Sequence, residues 1–130
     1  MKRAYFLLLI FIMLILFAPS TGQPQSNETI VTRSWVKADS KAYARDKLSE
    51  WKDTQWSCLS KLWGKESAWK ASAYNPIKVM GRNAGGIPQL LGLDPNLPAT
   101  IQIERGLDYI YHRYLTPCQG WAHFKRKGWY

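Results

Sequence analysis

Fifteen apolar residues run without a break from Ala4 to Ala18, directly behind Lys2 and Arg3. That block decides how much of the chain is left to build a core. A basic start, an apolar middle and small residues at the exit, here Ser20 and Gly22 after Pro19, are the three parts of a secretory signal peptide. As a helix the run would extend only ~22 Å at ~1.5 Å per residue, short of a ~30 Å hydrocarbon core. The exit is a loose match to the small-x-small cleavage pattern, so an N-terminal membrane anchor is the alternative. On either reading residues 1–22 stand outside the fold, and the chain is expected in the secreted fraction or the cell envelope, touching the membrane transiently through this segment. Taking those 22 residues from 130 leaves 108, enough for one domain and too few for two.

Without Lys2 and Arg3 the remainder carries 16 basic and 9 acidic residues, net +7. Such a charge favours anionic partners: nucleic acid, acidic cell-wall polymers or anionic membranes. The cations are scattered singly from Arg33 to Arg113, and the only cluster is Lys125-Arg126-Lys127. A nucleic-acid binder more often shows a basic stripe or a known module. Export also argues against nucleic acid, which leaves a polyanionic surface. Two cysteines, Cys58 and Cys118, in an exported chain predict a disulfide, with two buried free thiols as the alternative. The bond would close a loop of 60 residues, worth at most about 4 kcal/mol in the chain-entropy account, and a core of this size benefits from a staple. Together with His112 and His123 the two sulfurs lack the spacing of a zinc site, so no metal and no cofactor is expected.

Gln23 to about Val36 is polar and aperiodic and reads as a linker; Asn27-Glu28-Thr29 within it matches the glycosylation pattern. Helical signals dominate beyond it. Residues 38–48 combine helix formers with a thin stripe of Ala42, Ala44 and Leu48. Asp53 or Thr54 is placed to cap a second helix whose apolar face is Trp56, Leu59, Leu62 and Trp63. Residues 72–99 are dense in turn formers (Asn75-Pro76, Gly81, Asn83, Gly85-Gly86, Pro88, Gly92, Pro95, Pro98) and predict a long irregular stretch holding at most a short helix or β-turn. Loops this long are usually functional. Thr100 then caps a strong helix with Ile103, Leu107, Ile110, Tyr111 and Tyr114 on one face, Pro117 ends it, and a short helix follows around Cys118–Lys125. No segment alternates with period two, so residues 37–130 are expected to form a single, mainly α-helical domain.

The end of the second helix, Trp63-Gly64-Lys65-Glu66-Ser67-Ala68-Trp69, holds the most informative residue. Glu66 follows Trp63 by three positions and Leu59 by seven, so a helix reaching that far turns Glu66 toward the apolar side. A carboxyl beside indole rings loses hydration and its pKa rises. It then stays protonated near neutrality, as a general acid must. The ordinary alternative is a helix-end Glu paired with Lys65 or Lys70, and spacing alone favours that alternative. Some 20 residues on, Gly85-Gly86-Ile87-Pro88-Gln89 combines glycines that allow close backbone approach with an amide suited to sugar hydroxyls or N-acetyl groups. Alone, it is equally a turn with a structural Gln.

In order along the chain stand Gln55-Trp56-Ser57-Cys58-Leu59, Leu62-Trp63, Glu66-Ser67-Ala68-Trp69, Asn75-Pro76, Gly86-Ile87-Pro88-Gln89, Gln102-Ile103, Gly106-Leu107-Asp108-Tyr109-Ile110, Arg113-Tyr114, Pro117-Cys118, Trp121, His123 and Gly128-Trp129-Tyr130. Each piece is common, but the ordered set, from about Lys41 to Tyr130, resembles the lytic transglycosylase family of the lysozyme-like superfamily, in its compact actinobacterial and phage-borne variety. The resemblance implies helices around a cleft with a long Gly/Pro-rich loop. It also implies cleavage of the β-1,4 bond between N-acetylmuramic acid and N-acetylglucosamine in peptidoglycan strands by a monomer. Glu66 would protonate the glycosidic oxygen and then deprotonate the muramoyl C6 hydroxyl, closing a 1,6-anhydro ring. Ser67, Gly86, Ile87 and Gln89 would serve the sugar subsites, and Trp69, Tyr109, Tyr114 and Trp121 are aromatic candidates for stacking on sugar rings, with a core role as the alternative. A hydrolytic muramidase using the same acid, or a non-catalytic wall-binding domain, are the competing functions. Two departures stand out. Ala68 replaces the usual glycine after Glu-Ser, and Asn83-Ala84-Gly85 stands where Gly-Ala-Tyr is frequent, with Gly85 expected to remove a side chain from the lip of the cleft.

Overall fold

The computed structural model describes residues 36–49 and 51–130; the apolar N-terminal run and the linker up to Trp35 lie outside them. Four helices and a small sheet follow in order: α1 (Lys37–Lys47), α2 (Asp53–Ser67), β1 (Tyr74–Val79), β2 (Arg82–Gly85), β3 (Leu90–Leu91), α3 (Ala99–Tyr114) and α4 (Pro117–Lys127). The described residues are thus mainly helical, as the 3.6-residue patterns predict.

The core is where the helix patterns place it. Helix α2 buries Leu59, Leu62 and Trp63, and α3 buries Ala99, Gln102, Ile103, Gly106, Ile110 and Tyr114. A Cβ on Gly106 would stand 2.6 Å from Trp63 Cζ2 and 2.8 Å from Pro88 Cβ, so only glycine lets the second helix and the loop ahead of α3 close onto this one. Helix α1 buries just Ser40 and Ala44, with Asp39 in its first turn and Arg45 and Lys47 in its last, the arrangement that complements a helix dipole. Cys58 on α2 and Cys118 on α4 form a disulfide, Cα to Cα 4.9 Å. The paired state, not the free-thiol alternative, is what the fold contains.

Three boundaries differ from the sequence expectation. Asp53 is the first helical residue of α2 with no capping hydrogen bond, so it acts through its charge at the dipole's positive end. Thr100 lies inside the first turn of α3, whose cap position is Pro98. Helix α3 is ended by Leu115 at φ 66°, while Pro117 opens α4 behind Thr116, whose Oγ1 accepts from the Gln119 N–H at 3.3 Å. Of the expected α3 face, Leu107 is half-buried and Tyr111 is exposed.

The larger correction is the sheet. The stretch expected to be irregular contains three antiparallel strands in the order β1-β2-β3, with Tyr74 opposite Gly85, Asn75 opposite Ala84, Val79 opposite Arg82, and Ala84 opposite Leu91. A period-two signal requires one buried face, and every residue of β1 is exposed. Pro76 is tolerated because β1 is an edge strand, and the register shifts between Asn75 and Val79. Gly85 also differs from expectation: it is buried, and a Cβ there would collide with the Leu93 carbonyl and crowd Pro95. The 90–97 segment fills the place a side chain would take.

Candidate functional site

Glu66 is the penultimate residue of α2, one turn beyond Trp63, and is half-buried. Ala68 at φ 53° and Trp69 at φ 63° then stop the helix in the left-handed region, which fixes how far α2 carries Glu66. Neither Lys65 nor Lys70 pairs with it: among the described residues Glu66 has no ion pair and no hydrogen bond to its carboxylate. Burial pushes its pKa up to about 7 from the ordinary 4.5, and burial is the only cause. No second carboxylate contributes.

Beside it the 86–89 turn is pinned at three points. Ser67 Oγ donates to the Ile87 carbonyl at 2.7 Å, so the residue after Glu66 ties the helix end to the turn. The Ile87 N–H donates to Gln102 Oε1 at 2.9 Å. Tyr130 donates its hydroxyl to the Pro88 carbonyl at 2.6 Å and accepts from Trp63 Nε1 at 2.9 Å. Gly86 needs its glycine: φ is +72°, and a Cβ would run into the Gln102 amide. Gln89 sits at φ 52° with Nε2 donating to the Gly86 carbonyl at 2.9 Å, which leaves Oε1 as a half-buried acceptor.

The tyrosines border the acid electrically. Burial first, then the neighbouring Tyr114, pushes Tyr109 up, and the Glu66 charge adds to it. Tyr130 is raised well above its usual range by burial first and by Glu66 next. Tyr109 meets Tyr130 edge-on at 5.7 Å and Tyr114 at 6.2 Å. Glu66, Ser67, Gly86, Ile87, Gln89 and Tyr109 therefore belong to one neighbourhood, with Tyr114 behind Tyr109.

Not all of the aromatic candidates present a face to a ligand. Trp69 is 3% exposed, packs on Trp56 and Trp63 at 5.7 and 5.2 Å, and donates Nε1 to the Ser60 carbonyl. It is a core residue, so of the two roles open to it the core role holds and no face is left for a sugar. Tyr114, Gly86 and Ile87 are also buried and shape the site from behind. Trp121 is half-buried, stacks on Phe124 at 5.6 Å and carries Lys125 above its ring; none of its ring contacts reaches Tyr109, Tyr114 or Tyr130.

Two residues that stand in the ordered motifs, but to which the sequence assigned no role, hold the site together. Gln102 is fully buried, and besides Ile87 it serves the carbonyls of Ala71, Pro95 and Leu97 through Nε2 at 3.2, 3.2 and 2.8 Å. Its signal was a polar residue at helical spacing between Ala99 and Gly106 on the apolar face of α3. Tyr130 gave no local signal, because its partners are 67 and 42 residues away. Among the described residues no group of three His, Cys, Asp or Glu side chains is placed to hold a metal ion. No family model, no curated protein and no solved structure matches the chain. The arrangement itself offers one carboxyl, neutral for part of the time near pH 7, able to give a proton and take one back.

Proposed function

We propose that the chain is a lytic transglycosylase of lysozyme-like fold that cleaves peptidoglycan glycan strands, with Glu66 as general acid and then general base. The observation that carries this reading is the unpaired, half-buried Glu66 carboxyl, raised to about 7 by burial and by nothing else. The ordered motifs from Gln55 to Tyr130 add to it. In this reading α2, α3 and the small sheet border a cleft, with the 86–89 turn on one lip. Glu66 donates its proton to the oxygen between N-acetylmuramic acid and N-acetylglucosamine as positive charge develops at the anomeric carbon. The carboxylate left behind stabilises that charge. It then takes the proton of the muramoyl C6 hydroxyl, whose oxygen attacks the anomeric carbon and closes the 1,6-anhydro ring. Enzymes that use water or a protein nucleophile at this step usually employ two carboxylates. A lone Glu66 favours the substrate's own hydroxyl over hydrolysis by a muramidase.

In purified peptidoglycan the full chain is expected to clear turbidity, and Glu66→Gln to slow clearing by at least about 100-fold, the usual scale of lost acid–base catalysis. Equal clearing by the two would remove Glu66 from the chemistry.

A further inference from the structure

The proton chemistry does not use Arg113, a cation that meets Tyr109. The Arg113 guanidinium stands over three rings, 5.9 Å from the centroid of Tyr109, 5.7 Å from Tyr114 and 5.4 Å from Trp129. Its Nε donates to the Tyr114 hydroxyl at 3.1 Å. The side chain is nevertheless exposed, and no carboxylate among the described residues pairs with it. His123 packs against the same rings, 4.6 Å from Trp129 and 5.2 Å from Tyr114, with Nε2 buried and without a hydrogen-bond partner among the described residues. Burial first, then Arg126, Arg113 and Lys127, hold the imidazole below its usual pKa. Arg113 and His123 thus meet on the Trp129 and Tyr114 rings. Trp129 leaves half its surface in solvent beside them.

A guanidinium held on aromatic faces keeps its in-plane N–H groups available for a carboxylate, and little further ordering is needed when it binds. We infer that Arg113, held on the Trp129 ring next in the fold to His123 of α4, whose last turn carries Lys125, Arg126 and Lys127, forms a binding site for a carboxylate of the substrate. Resting on the glycan-cleaving reading, this makes it a specificity site for the peptide-bearing muramoyl sugar over a neutral glycan. Tyr109 stands 5.9 Å from the Arg113 guanidinium and meets Tyr130, which holds the 86–89 turn, edge-on at 5.7 Å, so it connects the site to the turn beside the acid. Trp129 offers the apolar face on which the peptide or a sugar ring rests.

The test uses the full chain carrying Glu66→Gln, so that bound glycan is not consumed. Calorimetric titrations compare a peptidoglycan tetrasaccharide bearing its peptides with the neutral N-acetylglucosamine tetramer. Adding Arg113→Gln is expected to weaken binding of the peptide-bearing glycan about tenfold, the scale of one charge-assisted pair, and of the neutral tetramer less than about twofold. The exposed pair Arg126→Gln with Lys127→Gln should act in the same direction, and added salt should shrink both differences. Equal losses for the two glycans, or none, overturn the anion site and leave the glycan-cleaving reading standing. Failure of the parent chain to bind either glycan overturns that reading, and the site with it.

Discussion

At the scale of single residues the decisive property is the protonation of Glu66. Its pKa of about 7 in the fold lies above the ordinary 4.5, so the folded chain holds this proton more tightly than the unfolded one. Stability from this group is complete below about pH 4.5, is lost as pH rises toward 7, and stays lost above it. Glu66→Gln cannot ionise and should therefore stabilise the fold at pH 8 by ~1–2 kcal/mol, less than the full shift implies because the group is partly solvated. At pH 4 the two chains should unfold at the same denaturant concentration, and a variant no more stable than wild type at pH 8 would mean the carboxyl is not desolvated. The sequence named Glu66, but it could not choose between a buried acid and a helix-end ion pair, since both give the same spacing from Trp63. What decides is that α2 stops at Ala68 in a left-handed conformation and that neither neighbouring lysine turns back.

At the scale of elements, the 86–89 turn depends on α3. Gly106 sits where Trp63 and Pro88 meet, and Trp63 and Pro88 are also the two partners of the Tyr130 hydroxyl. Gly106→Ala must push one of them aside. Overpacking of this kind costs about 1–3 kcal/mol, and urea denaturation should show that loss; unchanged stability would mean the contact is slack. Helices α2 and α3 were legible because each turns one apolar stripe toward a common core: Leu59, Leu62 and Trp63 from α2, Ile103 and Ile110 from α3. The sheet was not, because β1 is exposed along its whole length, and a strand with no buried face writes no alternation. Long-range ties were invisible for another reason. Gln102 acts through backbone groups and Tyr130 in part through one, and a backbone group carries no sequence identity. Trp69 misled for a third: an aromatic beside a catalytic candidate reads alike as platform or as core, and only its packing on Trp56 and Trp63 separates the two.

At the scale of the molecule, helices α2 and α4 are joined by the Cys58–Cys118 bond across 60 residues of chain, which enclose the acid, the pinned turn and all of α3. Replacing both cysteines by serine should lower stability by about 3–4 kcal/mol, read as a drop in denaturation midpoint. A loss below about 1 kcal/mol would show that the helices hold the enclosed site without the staple. The acidic polymer proposed as partner would meet the scattered positive charge and the Arg113 guanidinium on Trp129, and the proposed chemistry makes a product that hydrolysis cannot. Mass spectrometry of intact sacculi digested with the full chain should find 1,6-anhydromuramoyl ends, and none in the Glu66→Gln digest. Reducing muramoyl ends in their place would turn the protein into a hydrolytic muramidase, and the same products from both chains would take Glu66 out of the reaction.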